Sequence, residues 1–147
     1  MKGRVVSVNV SDKKGVRKKP VGEALVRTGF GIEGDAHASS KWHRQVSLLA
    51  LESIGKARET GLKVNPGDFA ENITTEGIDL LKLPVGTKMF IGNNIEVEVS
   101  QIGKICHTKC EIYTKAGDCI MPKEGIFVKI LTGGRVREGD EIAVRIL

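Results

Sequence analysis

The sequence predicts a mainly β protein, a closed or nearly closed barrel with one main helix. Three observations carry that expectation. Apolar and polar residues alternate in several short runs, the period of a strand with one wet face. Turn residues separate these runs, in a chain that holds 18 glycines. Aromatic residues make up only 4% of the chain, so the core has to be built from aliphatic side chains, many of them β-branched and suited to strands.

The elements follow in order. Gly3 to Val10 alternates as a strand, with Val6, Val8 and Val10 on one face and Val5, Ser7 and Asn9 on the other. Ser11 to Lys19 is a polar, basic loop closed by Pro20. Glu23 to Phe30 is again strand-like, and Gly29, Gly31 and Gly34 punctuate a turn-rich stretch that ends in Asp35-Ala36-His37. A helix is expected over Ser47 to Thr60, because Leu48, Leu51, Ile54 and Ala57 recur at helical spacing. Ser47 offers an N-cap, Gly61 a stop, and Glu52 and Lys56 an i,i+4 ion pair. After the turn at Asn65-Pro66-Gly67-Asp68 the chain returns to short strands. Thr87 to Ile91 and Asn94 to Ser100 form a hairpin about Gly92-Asn93, with Ile95, Val97 and Val99 on its dry face. Gly125 to Leu131 and Glu141 to Leu147 make a final pair of strands around Gly133-Gly134. Val85-Gly86 and Glu138-Gly139 each read as a turn leading into a strand. No βαβ alternation, linker or repeat is expected, so a single domain spans residues 1–147.

Composition bounds the function. The 40% hydrophobic and 28% charged content is that of a globular protein. A net charge of +5 favours anionic ligands, but no arginine-rich run or aromatic platform accompanies it, so nucleic acid is not expected. No run of apolar residues approaches the roughly 18 needed to span a bilayer. With no signal-peptide pattern and an odd number of cysteines, three, the chain reads as cytoplasmic with reduced thiols.

Three polar groups could carry chemistry. All three cysteines lie close together, as Cys106, Cys110 and Cys119, with His107 among them. A thiolate is a nucleophile and a metal ligand, and Lys104, His107 and Lys109 are cations beside Cys106 and Cys110 in the sequence. The plain alternative is that each cysteine is a small buried hydrophobe, Cys119 beside Ile120 and Met121 most of all. A zinc site fits poorly, since only one Cys hook is present and the adjacent Cys106 and His107 are ill placed to chelate one tetrahedral ion. The second group is the stretch Asp35 to Ser47, which holds His37, Lys41, Trp42, His43, Arg44 and Gln45. It reads as an anion-binding loop or simply as a solvated one. The third is Pro66-Gly67-Asp68-Phe69-Ala70-Glu71-Asn72-Ile73, where Glu71 and Asn72 precede a strand. There is no Gly-rich phosphate loop of the Walker or Rossmann kind.

Together these segments resemble the MOSC family, the domain named for the C-terminal part of molybdenum cofactor sulfurase. The resemblance runs through Gly31-Ile-Glu-Gly-Asp-Ala-His37, Trp42 to Leu49, Pro66 to Ile73, Ile102 to Cys110 and Gly117 to Phe127, and closes with Gly133-Gly134 and Gly139-Asp140. It implies a β-barrel related to the pyruvate kinase barrel, and handling of molybdenum cofactor (molybdopterin), a pterin dithiolene bearing a phosphate. It implies a cysteine that carries sulfur as a persulfide or ligates molybdenum as a thiolate. Cys110 aligns best with that role and Cys106 or Cys119 assists it, a thiol pair being able to resolve a persulfide. His37, Lys41, His43, Arg44, Glu71 and Asn72 are then expected at the cofactor pocket, with Arg44 or Lys41 near the phosphate. The implied partners are the cofactor or a precursor, a sulfur donor and a molybdoenzyme acceptor. No pyridoxal phosphate site is expected within this sequence. Two other readings remain: a small molybdoenzyme that reduces N-hydroxylated compounds with a separate reductase, and a zinc-stabilised interaction module.

Overall fold

The computed structural model describes residues 1–103 and 124–145. Their strands are β1 (Lys2–Val10), β2 (Lys19–Pro20), β3 (Glu23–Arg27), β4 (Gly31–Ile32), β5 (Val46–Ala50), β6 (Ile73–Glu76), β7 (Lys88–Ile91), β8 (Ile95–Ile102), β9 (Ile126–Thr132), β10 (Gly134–Arg137) and β11 (Glu141–Val144). The main helix, α1, spans Leu51–Glu59 between β5 and β6.

Seven strands in the order β11-β7-β8-β9-β5-β6-β1 form a barrel, and pairing of β1 with β11 closes it. Closure gives each wall strand a paired neighbour on both sides. Strand β2 pairs with the far end of β1, and β10, β3 and β4 form a small second sheet. The barrel interior is aliphatic, with Val5, Val8, Leu48, Ile73, Met89, Ile91, Val97, Val99, Ile126, Val128 and Ile142 all buried. Val26, Ile32 and Val136 of the small sheet belong to the same cluster, so that sheet packs on the barrel core. A second cluster lies outside the wall, where Leu49 of β5 and Phe127 of β9 meet Ile54 and Ala57 of α1 and Val64 and Phe69. Among the described residues no helix is long and apolar enough to cross a membrane.

Several elements differ from the sequence reading. Ser47 and Leu48 are strand, not helix, and α1 begins at Leu51 with Ala50 as its N-cap. The reason is tertiary: all five residues of β5 are buried, so it has no wet face to show a strand period, and Leu48 falls in helical phase with α1 by chance. Gly61 does end the helix, with Thr60 as C-cap. The expected Glu52–Lys56 pair is not formed, because Glu52 accepts from the Gly77 N–H and Lys56 reaches Glu124 at 3.4 Å. β5 and β6 are parallel neighbours joined through α1, a βαβ unit that the sequence reading excluded; a parallel pair needs such a crossover.

In β1 the pairing with β6 shifts register between Val5 and Ser7. That bulge reverses the facing of the strand. Val5 and Val8 share the core, whereas simple alternation puts them on opposite faces. β3 ends at Arg27, short of Phe30. The last two predicted strands exist as β9 and β11, but they are not neighbours: β9 lies between β8 and β5, and β11 between β7 and β1. The hairpin β7–β8 is as expected, with Ile91 opposite Ile95.

Candidate functional site

The polar, basic loop Ser11–Lys19 delivers a lysine into the interior. The side chains of Lys18 and Asp35 are both fully buried, with Nζ 2.7 Å from Oδ1. Lys18 Nζ also lies 3.1 Å from Ser11 Oγ and 3.0 Å from His37 Nδ1. An ammonium has three protons and no lone pair, so Lys18 donates in each of these contacts. The Asp35 carboxylate further accepts from the Ser11 and His37 N–H groups. Burial alone would push the Asp35 carboxyl up; the hydrogen bond and charge of Lys18, the Ser11 N–H and the Asn72 amide outweigh it and hold the carboxyl below its ordinary value.

The Gly67 segment locks this hub in place. Lys18 N–H donates to the Gly67 carbonyl at 2.8 Å. A Cβ on Gly67, whose φ is +91°, would stand 2.3 Å from the Lys18 carbonyl oxygen. Only glycine allows the two backbones to approach this closely.

Beside the hub opens a surface pocket of about 390 Å³ lined by Lys14, His37, Ser39, Lys41, Trp42, Arg44 and Phe127. Its charged walls are basic, and no carboxylate lines it among the described residues. The Arg44 guanidinium lies 4.5 Å from the Trp42 ring centroid and 5.4 Å from that of Phe127. Cation–π contacts use the faces of the guanidinium and leave its N–H edge for a ligand. Arg44 Nε is buried and has no hydrogen-bond partner among the described residues. Gln45 fixes the loop from below, donating to the Ser39 carbonyl and accepting from the Ile130 N–H of β9.

Glu71 and Asn72 lie inside the protein, not on the pocket surface; both are fully buried. Asn72 is a strut. Its Oδ1 accepts from the Ser47 N–H and hydroxyl, and its Nδ2 donates to the Asn9 carbonyl, tying β5 to β1. Glu71 Oε2 accepts from the Thr74 hydroxyl at 2.7 Å, while Oε1 has no partner among the described residues. Burial pushes the Glu71 carboxyl up to about 7, against the opposing pull of the Gly67 N–H and the Thr74 hydroxyl. Asn9 completes the network, donating to Thr74 and accepting from Ser7.

The structure thus brings together His37, Lys41 and Arg44 at one pocket. His43 stands apart from its lining: its Nε2 is 2.7 Å from Gln101 Oε1, and its carbonyl accepts from Ser100, at the end of β8. There Gly103 N–H donates to the Gly125 carbonyl at 2.7 Å, so β8 and β9 end side by side. The sequence between them holds Cys106, His107, Cys110 and Cys119, which lie outside the described residues. Among the described residues no group of His, Cys, Asp and Glu is placed to hold a metal ion. Sequence reasoning missed Lys18, which nothing distinguishes from its basic neighbours until Asp35 is folded against it. It also missed Lys14 and Phe127 of the pocket.

The sequence model of the MOSC domain matches residues 33–143, and the chain belongs to the MOSC family. Its fold is similar to that of the YuaD protein from Bacillus subtilis, with a TM-score of 0.81 at 19% identity over 98% of this chain and 96% of that one. It is also similar to YiiM from Geobacillus stearothermophilus, with a TM-score of 0.74 at 21% identity over 98% of this chain and 75% of that one. For YiiM from Escherichia coli the TM-score is 0.71 at 22% identity, over 100% and 71% of the two chains. None of the curated proteins compared matches the sequence.

Proposed function

We propose that this protein binds molybdenum cofactor or a precursor of it, and carries sulfur or the cofactor itself on a cysteine, Cys110. Membership of the MOSC family supports the class of ligand. The observation that carries the reading is the donor set of the pocket. Among the described residues Lys14, Lys41, Arg44, His37 and Ser39 line it without a carboxylate, and Arg44 keeps a buried Nε that has no partner there. Such a set fits an acceptor-rich anion, as a pterin phosphate is. Arg44 and Lys41 would hold the phosphate and His37 a neighbouring acceptor, while the Trp42 and Phe127 rings keep the guanidinium in place. When bound, the cofactor supplies molybdenum held by a dithiolene, for which a cysteine thiolate is a suitable soft ligand.

The test is retention of isolated molybdenum cofactor by the purified protein, read as bound pterin and molybdenum after gel filtration. Wild type is expected to retain both, and Arg44→Ala to lose at least about tenfold in affinity, the equivalent of one charge-assisted contact at about 1.4 kcal/mol. Cys110→Ala is expected to lose molybdenum or sulfur while keeping pterin affinity. Equal metal and sulfur content in wild type and Cys110→Ala would remove Cys110 from the role, and no retention by wild type would remove the reading itself.

A further inference from the structure

The contact between Lys18 and His37 has a chemical consequence for the pocket. We propose that Lys18 is a positioning residue that fixes His37 as the neutral tautomer protonated at Nε2, so that His37 serves the pocket as a hydrogen-bond donor and not as a base. Lys18 Nζ is 3.0 Å from His37 Nδ1, and its ammonium can only donate. Nδ1 therefore has to present its lone pair, which places the ring proton on Nε2 across the imidazole.

An imidazolium would put an N–H against an ammonium, with the nearest Asp35 oxygen 3.9 Å from Nδ1. Lys18 is itself held in place. The buried Asp35 carboxylate at 2.7 Å and the Ser11 hydroxyl at 3.1 Å fix its ammonium, and its N–H is bonded to Gly67. The Asp35 carboxylate also accepts from the His37 N–H at 3.1 Å, so the backbone beneath the ring is fixed by the same group. Lys14, Lys41 and Arg44 line the pocket with His37. A donating Nε2–H matches these cations in selecting acceptor atoms, and it removes His37 from the candidates for proton abstraction.

The inference rests on the hub geometry alone and holds whichever anion the pocket takes. Its test therefore uses the unliganded protein. Long-range proton–nitrogen correlation NMR of the 15N-labelled full chain at pH 7, with His37 assigned by comparison with His37→Gln, reads the tautomer directly. The expected spectrum shows a pyridine-type Nδ1 and a pyrrole-type Nε2. A pyrrole-type Nδ1, alone or together with a pyrrole-type Nε2, would overturn the proposal. The double variant Lys18→Met/Asp35→Asn removes the ammonium without stranding a buried carboxylate. Its His37 is expected to lose the pure pyridine-type Nδ1 signal, and an unchanged signal in the folded variant would overturn the role of Lys18. Should that variant not fold, Lys18→Arg, which keeps a donor, is expected to retain the wild-type pattern, and a switch of tautomer there counts against the proposal.

Discussion

Asp35 and Glu71 show how burial alone does not set the behaviour of a carboxyl group. Asp35 faces an ammonium and is held below its ordinary value, so its ionised form stabilises the fold above the unfolded pKa of about 3.9 and that contribution is lost on acidification. Glu71 faces no cation among the described residues, and burial pushes it up from 4.5 to about 7. Between those values the folded protein holds a proton that the unfolded chain has released. Stability therefore falls as the pH rises through this window, by on the order of 3 kcal/mol in all. Glu71→Gln is expected to flatten that part of the profile. Denaturant unfolding of both proteins at pH 5 and pH 8 checks it, and parallel profiles would refute the assignment. The same segment contains Ala70 at φ +64°, a left-handed backbone for a residue with a Cβ, so local strain and a buried acid adjoin. Neither was legible in the letters Ala-Glu-Asn, which read equally well as a pocket wall.

At the scale of elements, the site depends on how three loops meet. Ser11–Lys18, Asp35–His37 and the turn at Gly67 converge on Lys18. Gly67→Ala is expected to force that junction apart. The left-handed φ costs about 1–3 kcal/mol, and the 2.3 Å approach to the Lys18 carbonyl adds a clash with backbone that cannot swing aside. The measurable result is a lower midpoint of denaturation together with a changed His37 NMR signal. A remote but equally destabilising change, Ile54→Ala in the cluster under α1, should lower the midpoint by the equivalent of roughly 2–5 kcal/mol and leave that signal unchanged. The helix itself was half legible. Its apolar spacing and the Gly61 stop are in the sequence, but the spacing sets the N-cap at Ser47, three residues before Ala50, because β5 is buried on both faces.

For the whole molecule, closure is the decisive feature. β11 is short, yet it lies between β1 and β7 and joins the two ends of the barrel wall. It also places Ile142 in the core. Truncation after Gly139 would leave two edges unpaired and open the interior to water. The truncated chain is expected to lose cooperative unfolding in a thermal melt monitored by circular dichroism, whereas a sharp transition within a few degrees of wild type would show that the barrel does not depend on closure.

Local alternation, turn residues and aliphatic composition were enough to establish a mainly β chain, the β7–β8 hairpin and the approximate place of α1, because those signals act over a few neighbouring residues. The motif letters His37, Lys41 and Arg44 likewise marked residues that do share a pocket. Only the tertiary structure decided that β5 and β6 run parallel through α1, that a bulge turns β1 about, and that β9 and β11 are not partners. It alone placed Asn72 as a strut inside the protein and drew Lys18 from a polar, basic loop into a buried ion pair. These outcomes depend on contacts between residues far apart in the chain: Lys18 with Asp35, Asn72 with Ser47, β1 with β11. Charge and burial at such places are properties of the neighbours the fold supplies, and no stretch of sequence carries them by itself.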